Sequence, residues 1–170
     1  MSRPKGLNAR GRRLSAALAA VLVATSIFMP AAGARGADEL PQFKVTGRHR
    51  TALALLVPKE TTSGQLKALI LALRTARQEK RLDKLIPATT PGGAAGSYGV
   101  VVVWVYSEPE WATSAALERC NLASWNTPTY VECGRHVRAY YYYGVGTPEE
   151  GSIGYAEGKH IYTKVYEKLF

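Results

Sequence analysis

The 170-residue sequence has few of the residues that form metal and haem sites, with only two cysteines and three histidines. The haem-attachment motif C-x-x-C-H is absent, and the two cysteines do not form the closely spaced pair typical of structural zinc. The sequence also lacks the Gly-Lys-Ser/Thr ending of a phosphate-binding loop and the G-x-S-x-G motif of serine hydrolases. We therefore predict no metal and no cofactor, and no motif assigns a catalytic residue.

Acidic residues are missing from the first 34 positions, which contain five basic residues. An apolar run over residues 14–29 follows, and it is closed by Pro30 and by the small residues up to Ala34. A basic start, then an apolar run, then small residues are typical of a secretory signal peptide, here with cleavage near Ala34. The alternative is an uncleaved anchor, but the run falls short of the roughly 20 residues that span a bilayer.

The expected organisation is a signal peptide over residues 1–34 and a single globular domain over residues 35–170, in a secreted or periplasmic protein. No stable membrane span is expected after cleavage. The chain has 22 basic and 13 acidic residues; without the five in the leader, 17 basic residues remain and the net charge falls from +9 to +4. A charge this moderate does not favour nucleic acid as a partner.

The two cysteines, Cys120 and Cys133, both lie after the leader. An even number of cysteines in an exported protein predicts a disulfide, here closing a short loop between a helix and a strand. The alternative is a metal site in which Cys120, Cys133 and His136 are ligands. A structural zinc site needs a fourth ligand, and the export signal favours a disulfide.

Two apolar runs predict strands, at residues 51–57 and 98–107, because both are rich in apolar and β-branched residues. Between them, Thr62 and Gln65 have the spacing of a capping box. Apolar residues at helical spacing follow, so we predict a helix from Thr62 to about Lys80 or Leu82. The basic residues near its end, from Arg77 to Lys84, are interpreted as a solvated helix end rather than an anion site.

A second capping pattern at residues 107–110 predicts a helix from Glu108 to about Asn121, followed by a loop over residues 121–134. Further strands are predicted at residues 136–144 and 152–156, antiparallel to each other. The predicted order is β-α-β-α-β-β. The fold class is therefore α/β or α+β: a single small domain with a mixed sheet of about four strands and two main helices, on one face or on both.

The segment before the first predicted strand, residues 35–48, is mixed in character and is expected to lead into the fold. The glycine-rich loop at residues 88–96 resembles a phosphate cradle in composition only. It precedes a strand, whereas nucleotide-binding loops follow a strand and open a helix. The conformation of the tail from His160 onward is left open.

Four successive tyrosines follow Arg138, at Tyr140, Tyr141, Tyr142 and Tyr143. In a strand, alternate residues face opposite sides, so at most one pair of rings is exposed. One hypothesis is a ring platform for a sugar or a peptide, with Arg138 close by to hold an anionic group. The alternative is that one pair packs under a helix and the other belongs to an ordinary half-buried sheet face.

Two classes of function are consistent with these patterns. The first is a non-catalytic secreted or envelope-associated binding module whose partner is a glycan, a peptide or an envelope protein. The second is a small secreted hydrolase. An enzyme should bring at least two titratable groups together in a cleft, and that feature distinguishes the classes. The carboxylate pairs of the sequence, Glu108 with Glu110 and Glu149 with Glu150, are not positioned by any motif.

Overall fold

A computed structural model describes residues 39–87 and 100–170 of the chain. The signal peptide predicted for residues 1–34 and the glycine-rich loop at residues 88–96 lie outside the described residues. The elements in chain order are β1 (Lys44–His49), β2 (Ala52–Leu56), α1 (Ser63–Gln78), α2 (Leu82–Leu85), β3 (Val100–Tyr106), α3 (Ser114–Leu122), α4 (Pro128–Arg135), β4 (Ala139–Gly144), β5 (Glu150–Ile153), β6 (Ala156–Glu157), β7 (His160–Ile161) and β8 (Glu167–Lys168).

A mixed six-stranded sheet in the order β1-β2-β3-β4-β5-β8 organises the domain, and β6 pairs with β7 in a separate hairpin. Strands β2 and β3 are parallel, and every other neighbouring pair is antiparallel. Parallel strands need a crossover connection, which α1 provides. The structure confirms the predicted fold class, although the main sheet has six strands rather than about four.

The helices pack on opposite faces of the sheet, so the domain has three layers. On one face, the apolar stripe of α1, including Leu69 and Leu73, packs on a core that contains Val103 and Tyr141. On the other face, Leu117 of α3 belongs to a second core, with Ala52, Ala54, Trp104 and Tyr106 of the sheet. Alternate residues of β2 and β3 therefore enter different cores, which is why both strands are apolar throughout.

The capping box that predicted the start of α1 is present in the structure. The backbone N–H of Gln65 donates to Thr62 Oγ1 at 3.2 Å, and the Gln65 side chain accepts from the Thr62 backbone N–H at 3.0 Å. These two bonds satisfy backbone donors that a helix start leaves without partners. The helix ends at Gln78, slightly earlier than predicted.

The second predicted helix is shorter than expected, and the loop after it contains another helix. Helix α3 begins at Ser114 rather than Glu108, because Thr113 is the residue that caps it, accepting the backbone N–H of Ala116 at 3.1 Å. The prediction of a loop over residues 121–134 is wrong, since α4 begins at Pro128 and occupies its second half. Thr127 caps α4, and Pro128 occupies its first turn, a position that proline favours.

Strand β1 lies in the segment that was expected only to lead into the fold. It forms one edge of the sheet, and the start of α3 packs closely on it. The backbone N–H of Arg48 donates to Ser114 Oγ at 2.9 Å. A Cβ atom on Gly47 would lie 2.6 Å from the carbonyl carbon of Thr113, so only glycine permits this approach.

The predicted disulfide between Cys120 and Cys133 is present, with 5.8 Å between the Cα atoms. It joins α3 to α4, so it closes a loop between two helices rather than between a helix and a strand. Among the helices of the described residues, none has the length and apolar content needed to cross a bilayer.

The basic end of α1 is only partly solvated, which corrects the prediction for Arg77. The side chain of Arg77 is 17 % exposed and donates from Nε to Glu149 Oε1 at 2.8 Å. Lys84, in α2, is solvated as expected, with 81 % of its side chain exposed. Glu149, which no sequence pattern positioned, thus has a structural role, because its carboxylate connects α1 to Tyr141 of β4.

Candidate functional site

The four tyrosines of β4 divide between the two faces of the sheet. Tyr141 is fully buried under α1, and its hydroxyl donates to Glu149 Oε1 at 2.8 Å. Tyr143 is half-buried on the same side, with the Arg77 guanidinium 4.1 Å from the centre of its ring. Tyr140 and Tyr142 face the other side, so any platform consists of this pair.

Tyr140 and Tyr142 line a cleft of about 410 Å³ on the sheet face opposite α1. Its lining residues come from β4, from β5, from the β6–β7 hairpin and from the C-terminal segment. Besides the two tyrosines they are Thr147, Pro148, Glu150, Gly151, Ser152, Tyr155, Ala156, Glu157, Gly158, Tyr166 and Lys168. We refer to this site as the tyrosine cleft. It combines four phenol rings, two carboxylates and one lysine.

The two β4 tyrosines that line the cleft differ in how firmly they are held. Tyr140 packs edge-on against Trp104 and Tyr155, with ring centres 5.3 and 5.1 Å apart. Burial, and after it the charge of Glu150, raises the pKa of Tyr140. Tyr142 makes neither ring contact, and its hydroxyl accepts a hydrogen bond from Thr147 Oγ1 at 3.2 Å. Tyr140 therefore forms the floor of the cleft, and Tyr142 offers the more accessible ring.

Three oxygen atoms meet at one side of the cleft. The hydroxyls of Tyr130 and Tyr155 are 2.7 Å apart, and that of Tyr155 donates to Glu157 Oε2 at 3.1 Å. The Tyr130 hydroxyl donates to the same carboxylate oxygen. Burial raises the pKa of both phenols, and the hydrogen bond to Glu157 at Tyr130 and the adjacent Tyr130 hydroxyl at Tyr155 add to the effect. Both phenols therefore stay protonated at neutral pH and act as donors.

The C-terminal segment reaches the cleft because the chain turns sharply after β5. Gly154 has a φ of +72°, and a Cβ atom there would lie 2.0 Å from the carbonyl oxygen of Val165. A side chain is excluded both by this contact and by the backbone conformation. The turn lets the segment return beside β5, where the Leu169 N–H donates to the Gly151 carbonyl at 2.8 Å. Tyr166 is thereby placed on the rim.

No protein-family model, curated protein or solved structure matches the chain. The geometry of the described residues is therefore the basis for a functional assignment. Within residues 39–87 and 100–170, no group of three or more histidine, cysteine, aspartate or glutamate side chains is arranged to hold a metal ion.

Arg138 lies outside the tyrosine cleft. Its guanidinium donates to the carbonyl oxygens of Thr61 and Lys59, at 2.8 and 3.4 Å, and so fixes the connection between β2 and α1. Together with Arg135 and Lys164 it lines a separate cleft of about 430 Å³. The sequence placed Arg138 next to the rings, whereas the fold places it at the end of β4 that is farther from Tyr142.

His136 belongs to a cluster at the end of α4 and not to either cleft. Its ring stacks on Trp111 with centres 4.1 Å apart, and its two nitrogens contact the carboxylates of Glu108 and Glu132. The hydrogen bond with His136 lowers the pKa of Glu132. These contacts join α4 to the segment before α3, which is a structural role.

Sequence reasoning missed Tyr155, Glu157 and Tyr166, which complete the cleft. The only signal was the density of aromatic residues after Gly151, and no spacing rule connects that segment to β4. The pairing of β4 with β5 and the turn at Gly154 bring these residues to Tyr140, and both are properties of the fold.

Proposed function

We propose that this protein is a non-catalytic binding domain that acts outside the cytoplasm and holds a saccharide in the tyrosine cleft. The observation that carries the proposal is the position of Tyr140 and Tyr142 at the cleft, together with hydroxyl and carboxylate groups. A tyrosine ring offers a large rigid apolar surface with a polar tip, which suits the C–H face and the hydroxyls of a sugar.

The polar groups of the cleft match a ligand rich in hydroxyls. Glu150 and Glu157 supply acceptors, and Lys168 supplies a donor. The volume of about 410 Å³ is within the usual range for small-molecule sites, roughly 300–1,000 Å³. A compact ligand such as a short oligosaccharide fits this cleft better than an extended peptide or the surface of an envelope protein.

A second candidate is a glycoside hydrolase, because Glu150 and Glu157 line the same cleft. Glycoside hydrolysis uses two carboxyl groups, one of which donates a proton to the leaving oxygen. The contacts of Glu157 favour binding instead, since its Oε2 accepts hydrogen bonds from the Tyr130 and Tyr155 hydroxyls. These contacts engage Glu157 in the wall of the cleft, which favours a binding role over catalysis.

Replacing Tyr142 by serine is expected to weaken saccharide binding at least tenfold with little change in melting temperature. The matched control is Tyr143→Ser, which removes the same side chain from the opposite face of the same strand. Soluble cellotetraose, chitotetraose and maltotetraose are the probes, measured by calorimetry and by melting temperature. A ligand present at 100 times its dissociation constant stabilises by about 2.7 kcal/mol.

The expected result is that at least one probe binds the wild type and Tyr143→Ser but not Tyr142→Ser. Failure of all three probes to bind the wild type, or equal binding by Tyr142→Ser, would contradict the proposal. Shorter products after incubation would support the hydrolase, and Glu150→Gln should then abolish them.

The predicted export agrees with this function, because cell-surface glycans lie outside the cytoplasm, where a disulfide such as Cys120–Cys133 persists. We expect mass spectrometry of the exported protein to find an N-terminus between Arg35 and Asp38, after removal of the predicted signal peptide. Cytoplasmic protein prepared from the same cells is the control. Recovery of intact Met1 in the membrane fraction would show an uncleaved anchor instead.

A further inference from the structure

The parallel strands β2 and β3 end at the same edge of the sheet, and the chain leaves them in opposite directions. After β2 it continues into α1, which packs over β4 and β5 on one face. After β3 it continues into α3, which packs over β1 and β2 on the other face. Such a divergence opens a crevice between the two departing segments, and ligands of α/β proteins often bind at this point.

The structure has a cavity of about 690 Å³ at this position. Residues after β2 and after β3 line it, and the chain entering β1 forms a further wall. Its apolar surface includes Phe43, Leu56, Val57 and Pro58. We refer to this site as the strand-end crevice. It shares no lining residue with the tyrosine cleft.

Two lysines, Lys44 and Lys59, line the strand-end crevice, and none of its described lining residues is acidic. Among the described residues, neither lysine forms an ion pair with an aspartate or a glutamate. Glu60, next to Lys59 in the chain, lines a different cleft, and Glu108, which lies between the lining residues Ser107 and Pro109, contacts His136. The crevice therefore combines an apolar surface with two lysines that form no ion pair with a carboxylate among the described residues.

We propose that the strand-end crevice binds a small molecule with an apolar body and a carboxylate group. The apolar walls would cover the hydrocarbon part, and Lys44 and Lys59 would hold the carboxylate. A lysine ammonium is a compact charge on a flexible stem, so two of them can converge on one carboxylate without a fixed planar geometry. This inference is independent of the saccharide proposed for the tyrosine cleft.

The test is a calorimetric titration of the full domain with octanoate, and with octanol and octylammonium as ligands of matched chain length. We expect octanoate to bind at least tenfold more tightly than either of the other two. The double variant Lys44→Gln/Lys59→Gln should lose at least tenfold in octanoate affinity. Both lysines are exposed, so the variant should melt at the wild-type temperature.

Two control variants make the result specific to this crevice. Lys159→Gln removes an exposed lysine in the hairpin between β6 and β7, and Tyr142→Ser alters the tyrosine cleft; both should bind octanoate as the wild type does. No octanoate binding by the wild type, equal binding of octanoate and octylammonium, or unchanged binding by the double variant would each overturn the proposal. Loss of binding in Tyr142→Ser would place the ligand in the other cleft and also overturn it.

Discussion

Replacing Glu149 by alanine is expected to lower the free energy of unfolding by about 3 kcal/mol. Its carboxylate accepts hydrogen bonds from Arg77 at 2.8 Å, from Arg74 at 3.3 Å and from the Tyr141 hydroxyl at 2.8 Å. The variant leaves the Arg77 guanidinium and the buried Tyr141 hydroxyl without their acceptor, and breaking a buried pair in this way costs about 3–5 kcal/mol. The lower end applies because the Glu149 side chain keeps 13 % exposure.

The same carboxylate should make the protein less stable in acid. Burial alone would raise the pKa of Glu149, but hydrogen bonds from Arg77 and Tyr141 and the charge of Arg77 bring it below its ordinary value. A group whose pKa is lower in the folded state stabilises fully above its unfolded pKa, about 4.3 for glutamate. That contribution is lost as the pH falls through the folded pKa. The free energy of unfolding, measured with urea, should therefore fall less between pH 7 and pH 3 for Glu149→Ala than for the wild type.

The matched control is Glu167→Ala, which removes an ion pair with Lys67 at 3.0 Å in which both side chains are about half exposed. Exposed pairs contribute roughly 0–1 kcal/mol, so this variant should unfold almost as the wild type does. Equal losses in the two variants would show that Glu149 is no more than a surface charge. An unchanged acid dependence in Glu149→Ala would contradict the role assigned to its carboxylate.

Removing the disulfide by the double substitution Cys120→Ser/Cys133→Ser should lower the free energy of unfolding by about 3 kcal/mol. The bridge spans 13 positions of the chain and ties α4 to α3. Without it, the unfolded chain gains conformational freedom, and α4, a helix of only 8 residues, is too short to be stable alone. Urea unfolding monitored by circular dichroism measures the difference.

Reduction of the wild type provides the control for the disulfide. Dithiothreitol should destabilise the wild type by about the same amount and leave the serine variant unchanged. Two free thiols in the unfolded, unreduced wild type would contradict the bridge. A loss much larger than about 5 kcal/mol would show that the serines disturb the core as well, since both cysteines are buried.

The elements that the sequence predicts well are those with a local cause. Thr62 and Gln65 determine where α1 begins through bonds to their own backbone, and the apolar residues of β2 and β3 mark strands covered on both faces. Helix α4 is not evident from the sequence, because proline is common in loops, although Pro128 directly after the capping Thr127 is also a helix start. Both meanings of proline are local, and only the fold shows which applies.

The candidate sites depend on contacts between distant parts of the chain. Alternation along β4 limited the platform to one tyrosine pair, but which pair faces away from α1 depends on the register of β4 with β3. Arg138 is close to the tyrosines in sequence, yet its guanidinium is engaged by the carbonyls of Thr61 and Lys59. The crevice at the ends of β2 and β3 follows from the opposite directions of α1 and α3, which no residue pattern specifies.

The contact of α3 with strand β1 also bears on how the domain behaves at high concentration. An unprotected outer strand offers N–H and C=O groups on which another molecule can extend the sheet, the first step toward aggregation. Here the backbone N–H of Arg48 donates a hydrogen bond to the Ser114 hydroxyl, and the backbone at Thr113 lies against Gly47. The strand at the opposite edge of the sheet, β8, has only two residues. Within the described residues, helix α3 therefore covers part of β1 and β8 is short, so neither edge of the sheet offers a long free strand for fibrillar growth.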